Sequence, residues 1–143
     1  MTKKIVITVV SILAALAATV IIACFAVFLI NRHNAQKLQA GLENFAIHQT
    51  DDITIFSFDD NIGLWGDQSL NLSTQKDFDQ FVDENLNVPV TITDETDSQS
   101  SSNPEVSWHV IKFEYISGNQ KIFGRFTVNS NSETNYVSLK ING

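Results

Sequence analysis

Residues 5–30 read IVITVVSILAALAATVIIACFAVFLI, with no charge, no Pro and no Gly. Thr8, Ser11, Thr19 and Cys24 are its only interruptions. A helix absorbs small hydroxyls by bonding them to its own carbonyls. About 20 apolar residues cross a hydrocarbon core of about 30 Å as a helix, so this run spans with some tilt. A secretory signal has an apolar region of only about 7–15 residues. The reading is a single transmembrane helix over 1–30, a juxtamembrane amphipathic helix over 31–50, and a small α+β domain over 51–143. The bilayer is then the first partner.

Ile21-Ile22-Ala23-Cys24 also fits a lipoprotein cleavage box, which would make Cys24 a lipidation site. Residues 25–30 stay apolar where a lipoprotein turns polar, so the favoured account of Cys24 is a small apolar residue in a membrane helix. Lys3 and Lys4 precede the span, and Arg32 and Lys37 follow it. The balance of Lys and Arg near the ends sets orientation. With four residues ahead of the span, the expected topology is an uncleaved signal anchor, N-terminus inside and C-terminal domain extracytoplasmic.

All 16 Asp and Glu follow residue 31, against seven Lys and Arg there. That excess argues against nucleic acid and an anionic bilayer surface as partners, since both select clustered cations. The part after the span has no Cys, so disulfides, Cys-ligated metal and thiol nucleophiles are excluded. Asn71-Leu72-Ser73 fits the glycosylation pattern, of consequence only in a eukaryotic secretory lumen.

In residues 31–48, Leu38, Leu42, Phe45 and Ala46 recur at helical spacing. Residues 53–58, ITIFSF, read as a strand, and Asp59-Asp60-Asn61 as a turn. Ile62-Gly63-Leu64-Trp65-Gly66 reads as an irregular stretch. Residues 73–86 read as a helix with an apolar face of Phe78, Phe81, Val82 and Leu86, started by Thr74 and Asp77 in a capping-box pattern. Residues 88–93 read as a strand with Pro89 at its start or on an edge. Residues 94–105, DETDSQSSSNPE, hold no apolar residue except Pro104 and read as a mobile loop. Residues 106–116, 121–128 and 136–141 read as three strands, the first two joined at Ser117-Gly118-Asn119-Gln120. The fold class is therefore α+β, a helix packed on a small antiparallel sheet ending in a three-stranded meander.

The chemistry-bearing residues are sparse. His33, His48 and His109 form no HxH or HxxxH pair, and Asp59, Asn61 and Gly63 miss the calcium-loop spacing. There is no GxSxG, phosphate loop or HExxH. We expect no catalytic residue, no cofactor and no metal, hence no enzyme. Trp65, Leu64 beside it, and Trp108 are the candidate partner-binding residues, and the expected partner surface is the exposed face of the meander or the Trp65 loop. A ligand pocket between Phe78/Phe81 and the sheet is the competing expectation.

Two families share the layout. Type IV pilins also lead a long N-terminal helix into a sheet, but they carry a Gly-Phe-type processing site and a Glu within the apolar run, and residues 5–30 contain neither Gly nor Glu. Leu86-Asn87-Val88-Pro89-Val90 is similar to the Leu-Gly-x-Pro-Ile turn of the membrane-anchored domain shared by cytochrome oxidase assembly factors and an inner-membrane import translocase subunit. Residues 124–128 and 136–141 resemble the last two strands of that domain. Asn87 replaces the glycine and tolerates the same left-handed conformation. Residues 51–70 have no counterpart there, and the resemblance covers about half the chain. It implies partner binding without catalysis.

Overall fold

The computed structural model describes residues 2–60 and 68–141. The chain divides into two compact units, Met1–Lys37 and Leu38–Gly143.

Helix α1 runs Thr2–Asn44, and its residues up to Lys37 make up the first unit. Among the described residues, one helix is thus long and apolar enough to cross a membrane. Its hydroxyls are satisfied internally: Thr8 donates to the Lys4 carbonyl, Ser11 to Ile7 and Thr19 to Ala15, at 2.8–2.9 Å. Cys24 is exposed on this stretch.

The last residues of α1 belong to the second unit. The helix stops at a Schellman motif: the Ile47 amide bonds the Leu42 carbonyl at 2.8 Å and the Ala46 amide bonds Glu43 at 3.0 Å. Ala46 sits at φ 54, a conformation that costs an L-residue about 1–2 kcal/mol. Leu42 and Ile47, the apolar pair that accompanies this motif, are both buried, as is Phe45.

The rest of the second unit is a six-stranded antiparallel sheet, in the order β1-β2-β6-β5-β4-β3. The strands are β1 (Ile53–Asp60), β2 (Gln68–Thr74), β3 (Thr91–Gln99), β4 (Ser107–Ser117), β5 (Gln120–Asn129) and β6 (Asn135–Ile141). Between β2 and β3 lies a short helical segment, α2 (Phe78–Phe81), which widens into a π-helical turn, Val82–Leu86. Gly118 opens the two-residue β4–β5 hairpin at φ +60, the position where a type II′ turn wants glycine.

Inward positions alternate along the strands: Leu70 and Leu72 on β2, Ile111, Phe113 and Tyr115 on β4, Ile122 and Phe126 on β5, Val137, Leu139 and Ile141 on β6. Phe81, Leu86, Leu42 and Phe45 complete the same core. Phe78 meets Phe113 and Phe126 at ring separations of 5.2 and 5.6 Å, and Phe81 meets Phe126 at 5.8 Å. Gly124 lies under the Phe113 ring, where a Cβ would approach within 2.2 Å.

Tyr115 donates to the Phe45 carbonyl at 2.6 Å from a buried position. Burial pushes its hydroxyl well above the usual tyrosine value of 10.0. Its contribution to stability is therefore complete below pH about 10, and is lost above that pH by about 1.4 kcal/mol per pH unit as the unfolded chain ionises first. Tyr115→Phe should flatten this alkaline limb in denaturation curves taken from pH about 8 to 12. At neutral pH it should cost about 1–2 kcal/mol by orphaning the Phe45 carbonyl.

Four local expectations are corrected. Ser73 and Thr74 are not helical; they close β2, which pairs with both β1 and β6. The helix starts instead after Asp77, whose carboxylate accepts from the Gln80 amide at 2.9 Å while the Gln80 side chain accepts from the Asp77 amide. Residues 94–99 are not a loop but most of β3. As an edge strand bonded, among the described residues, only to β4 and wholly exposed, β3 needs no apolar side chain, and its charges and its bulge between Ile92 and Asp94 guard the edge. Asp59 and Asp60 continue β1 rather than turning.

Candidate interaction face

The helical elements of this unit and the sheet's inward side chains form one core, which leaves the other side of the sheet to consider. β4 and β5 are in unbroken register, so Trp108, Val110, Lys112, Glu114 and Ile116 share that outer face with Lys121, Phe123, Arg125 and Thr127. β6 adds Tyr136, Ser138 and Lys140. At β1 a bulge between Ile55 and Ser57 makes Phe56 an extra residue. Its ring stacks with that of Tyr136, centroids 6.0 Å apart. Ile116 is 66% exposed, Phe56 60%, Tyr136 47% and Phe123 39%.

Amid these residues is a shallow depression lined by Thr93, Lys112, Phe123, Arg125, Ser138 and Lys140. Lys112 pairs with Asp94 across β3–β4 at 3.0 Å, and this hydrogen-bonded ammonium holds the Asp94 carboxyl below its usual range. Lys121 pairs with Glu114 at 2.8 Å and lies 5.4 Å from the centre of the Phe123 ring. Among the described residues, no carboxylate lies within ion-pair distance of Arg125 or Lys140.

Trp108 is half-buried at one end of this face, opposite Asn129 and Ser98. Leu64 and Trp65 lie outside the described residues. The structure therefore does not bring the three candidates together. The residues that the sequence reading missed are Phe56, Tyr136, Arg125 and Lys140. Phe56 lay in an identified strand, but only the bulge assigns its side, and the cations converge only once three strands are in register.

Other candidates are occupied by structure. Between Phe78, Phe81 and the sheet, the rings of Phe113 and Phe126 meet that of Phe78, and Phe126 also meets Phe81. Asp52 is 3.6 Å from the Lys76 ammonium, and the His48 backbone is bonded in both directions by Asn85. His109 pairs at 2.7 Å with Asp97 across the β3–β4 ladder, at the surface. Asn71 of the glycosylation pattern is inside β2, its amide donating to Ser57 at 3.0 Å. In comparisons with protein-family models, characterised proteins and solved structures, nothing matched this chain.

Proposed function

We propose that this is a single-pass membrane-anchored accessory protein whose extracytoplasmic domain binds another protein, as an assembly, secretion or envelope factor. The observation that carries the reading is the outer face of the sheet, on which Phe56, Tyr136, Phe123 and Ile116 are exposed. Phe56 and Tyr136 stack on it in the open, and exposed aromatic anchors carry most of the energy of protein–protein contacts. The apolar part of α1 supplies the anchor. Lys3 and Lys4 ahead of the apolar run support the N-inside orientation. The resemblance of residues 86–90 to the turn of the oxidase-assembly and import-translocase domain favours the same class, a binding protein without catalysis.

The test is the double variant Phe56→Ser/Tyr136→Ser in the full-length protein. Both side chains are largely solvent-exposed, so the melting temperature should move little. Recovery of the native complex from membranes should fall by about tenfold or more, the effect of losing a hot-spot pair. Unchanged recovery with both serines in place would contradict the assignment of this face.

A further inference from the structure

The second unit holds 16 carboxylates against five cations, Lys76, Lys112, Lys121, Arg125 and Lys140. Lys76 is buried. The register places the other four on the outer face of β4, β5 and β6. Every exposed cation of a strongly acidic domain thus lies on one side of one sheet. Lys112 and Arg125 are moreover direct cross-strand neighbours, an arrangement of like charges that destabilises a ladder. Asp94 relieves Lys112; Arg125 has no such relief among the described residues.

From this charge segregation we infer that the outer face receives an acidic, extended polypeptide segment of a partner protein, with its carboxylates on Arg125 and Lys140 and its backbone or apolar side chains against Phe123. The inference rests on the protein-binding reading above and supplies the chemistry of the partner. Arg125 faces Ser138, two residues from Lys140, and such diagonal neighbours stand about 7–8 Å apart. Alternate side chains of an extended segment repeat at about 6.7 Å, so carboxylates two residues apart meet both cations. Arg125 offers the two-pronged geometry that carboxylates accept. The exposed Phe123 ring between the cations gives a polypeptide an apolar contact that a small inorganic anion cannot use. An anionic bilayer is disfavoured by the acidic excess of the domain as a whole.

The experiment uses the full-length protein in a neutral detergent and a fluorescein-labelled peptide of alternating Glu and Ser, followed by fluorescence anisotropy. Saturable binding is expected, weakening as salt rises. Arg125→Glu/Lys140→Glu should weaken it by about tenfold or more, while circular dichroism and melting stay as in the wild type. An alternating Lys-Ser peptide should not bind. No binding of the acidic peptide, or equal binding by the double variant, overturns the inference. So does displacement of the peptide by equimolar inorganic phosphate, which would mark a simple anion site. Tighter, Arg125-dependent binding to phosphatidylglycerol vesicles would assign the face to lipid instead. If the native complex survives Arg125→Glu/Lys140→Glu but is lost in Phe56→Ser/Tyr136→Ser, the acidic chemistry fails and the protein-binding reading stands. If it survives both, the protein-binding assignment of the face fails as well.

Discussion

Phe126→Ala should destabilise the folded domain by about 3–5 kcal/mol, the cost of removing a fully buried aromatic ring and leaving a cavity. Phe126 is at 0% exposure. It stands on β5 between Ile111 of β4 and Val137 of β6, and its ring meets those of both Phe78 and Phe81. α2 has only four residues, too few to persist as an isolated helix, so its stability comes from this seat. The cavity would open beneath the helical segment rather than between strands that close over it. Small domains are stable by about 5–15 kcal/mol in total, so the loss is a large fraction of the whole. Urea denaturation should show the midpoint falling with little change in slope. A loss below about 1 kcal/mol would mean that the helical segment is not seated on β5.

The second large effect is expected at Asn85, and its origin is polar. Asn85 is completely buried. Its amide group donates to the His48 carbonyl at 2.8 Å and to Thr50 Oγ1 at 3.2 Å, and its Oδ1 accepts from Lys76 Nζ at 3.3 Å. Lys76, itself buried, also reaches Glu84 at 2.7 Å and Thr50 at 3.2 Å, while its carbonyl accepts from Asn135 at 2.8 Å. This cluster ties the segment after α1, the link from β2 to α2, the π-helical turn and β6 into one unit. The turn closes with the Asn87 amide on the Val82 carbonyl at 3.1 Å, and Asn87 takes the left-handed conformation at φ 49. Such turns often mark functional sites; here the turn carries Asn85 into the polar cluster. Asn85→Ala leaves the His48 carbonyl without its side-chain donor and removes one acceptor from the ammonium, at about 1–3 kcal/mol for each buried group deprived. A fall in melting temperature of about 10–20 °C follows for a domain of this size. A fall under about 3 °C would show that the cluster is solvated and not structural.

The sequence was most legible where composition alone decides. Twenty-six uncharged residues read as a span without reference to anything else, and Phe81 and Leu86 fall on the buried face that their spacing implies. The alternation in residues 136–141 likewise identifies Val137, Leu139 and Ile141 as inward. It was least legible where pairing overrides propensity. Gln68–Thr74 contains only two large apolar residues, Leu70 and Leu72, yet forms a strand with neighbours on both sides. Thr91–Gln99 is acidic and forms a strand because β4 offers it a ladder and nothing buries it. Asn85 was readable in principle: it follows Phe81 by four and Val82 by three, so a polar residue sat within an apolar stripe. The exposed face of the three last strands was legible from their alternation, but the gathering of its cations was not. Lys112, Arg125 and Lys140 are far apart in the chain, and only register brings them together.

The most direct test of the account is co-purification of the full-length protein from its own membranes in mild detergent, read by native electrophoresis and mass spectrometry. The Phe56→Ser/Tyr136→Ser variant is run beside it. The account predicts a larger complex with a second protein in stoichiometric amount, lost in the variant. Migration of the wild-type chain alone, with nothing enriched beside it, would contradict the proposal that this domain is an anchored binding module.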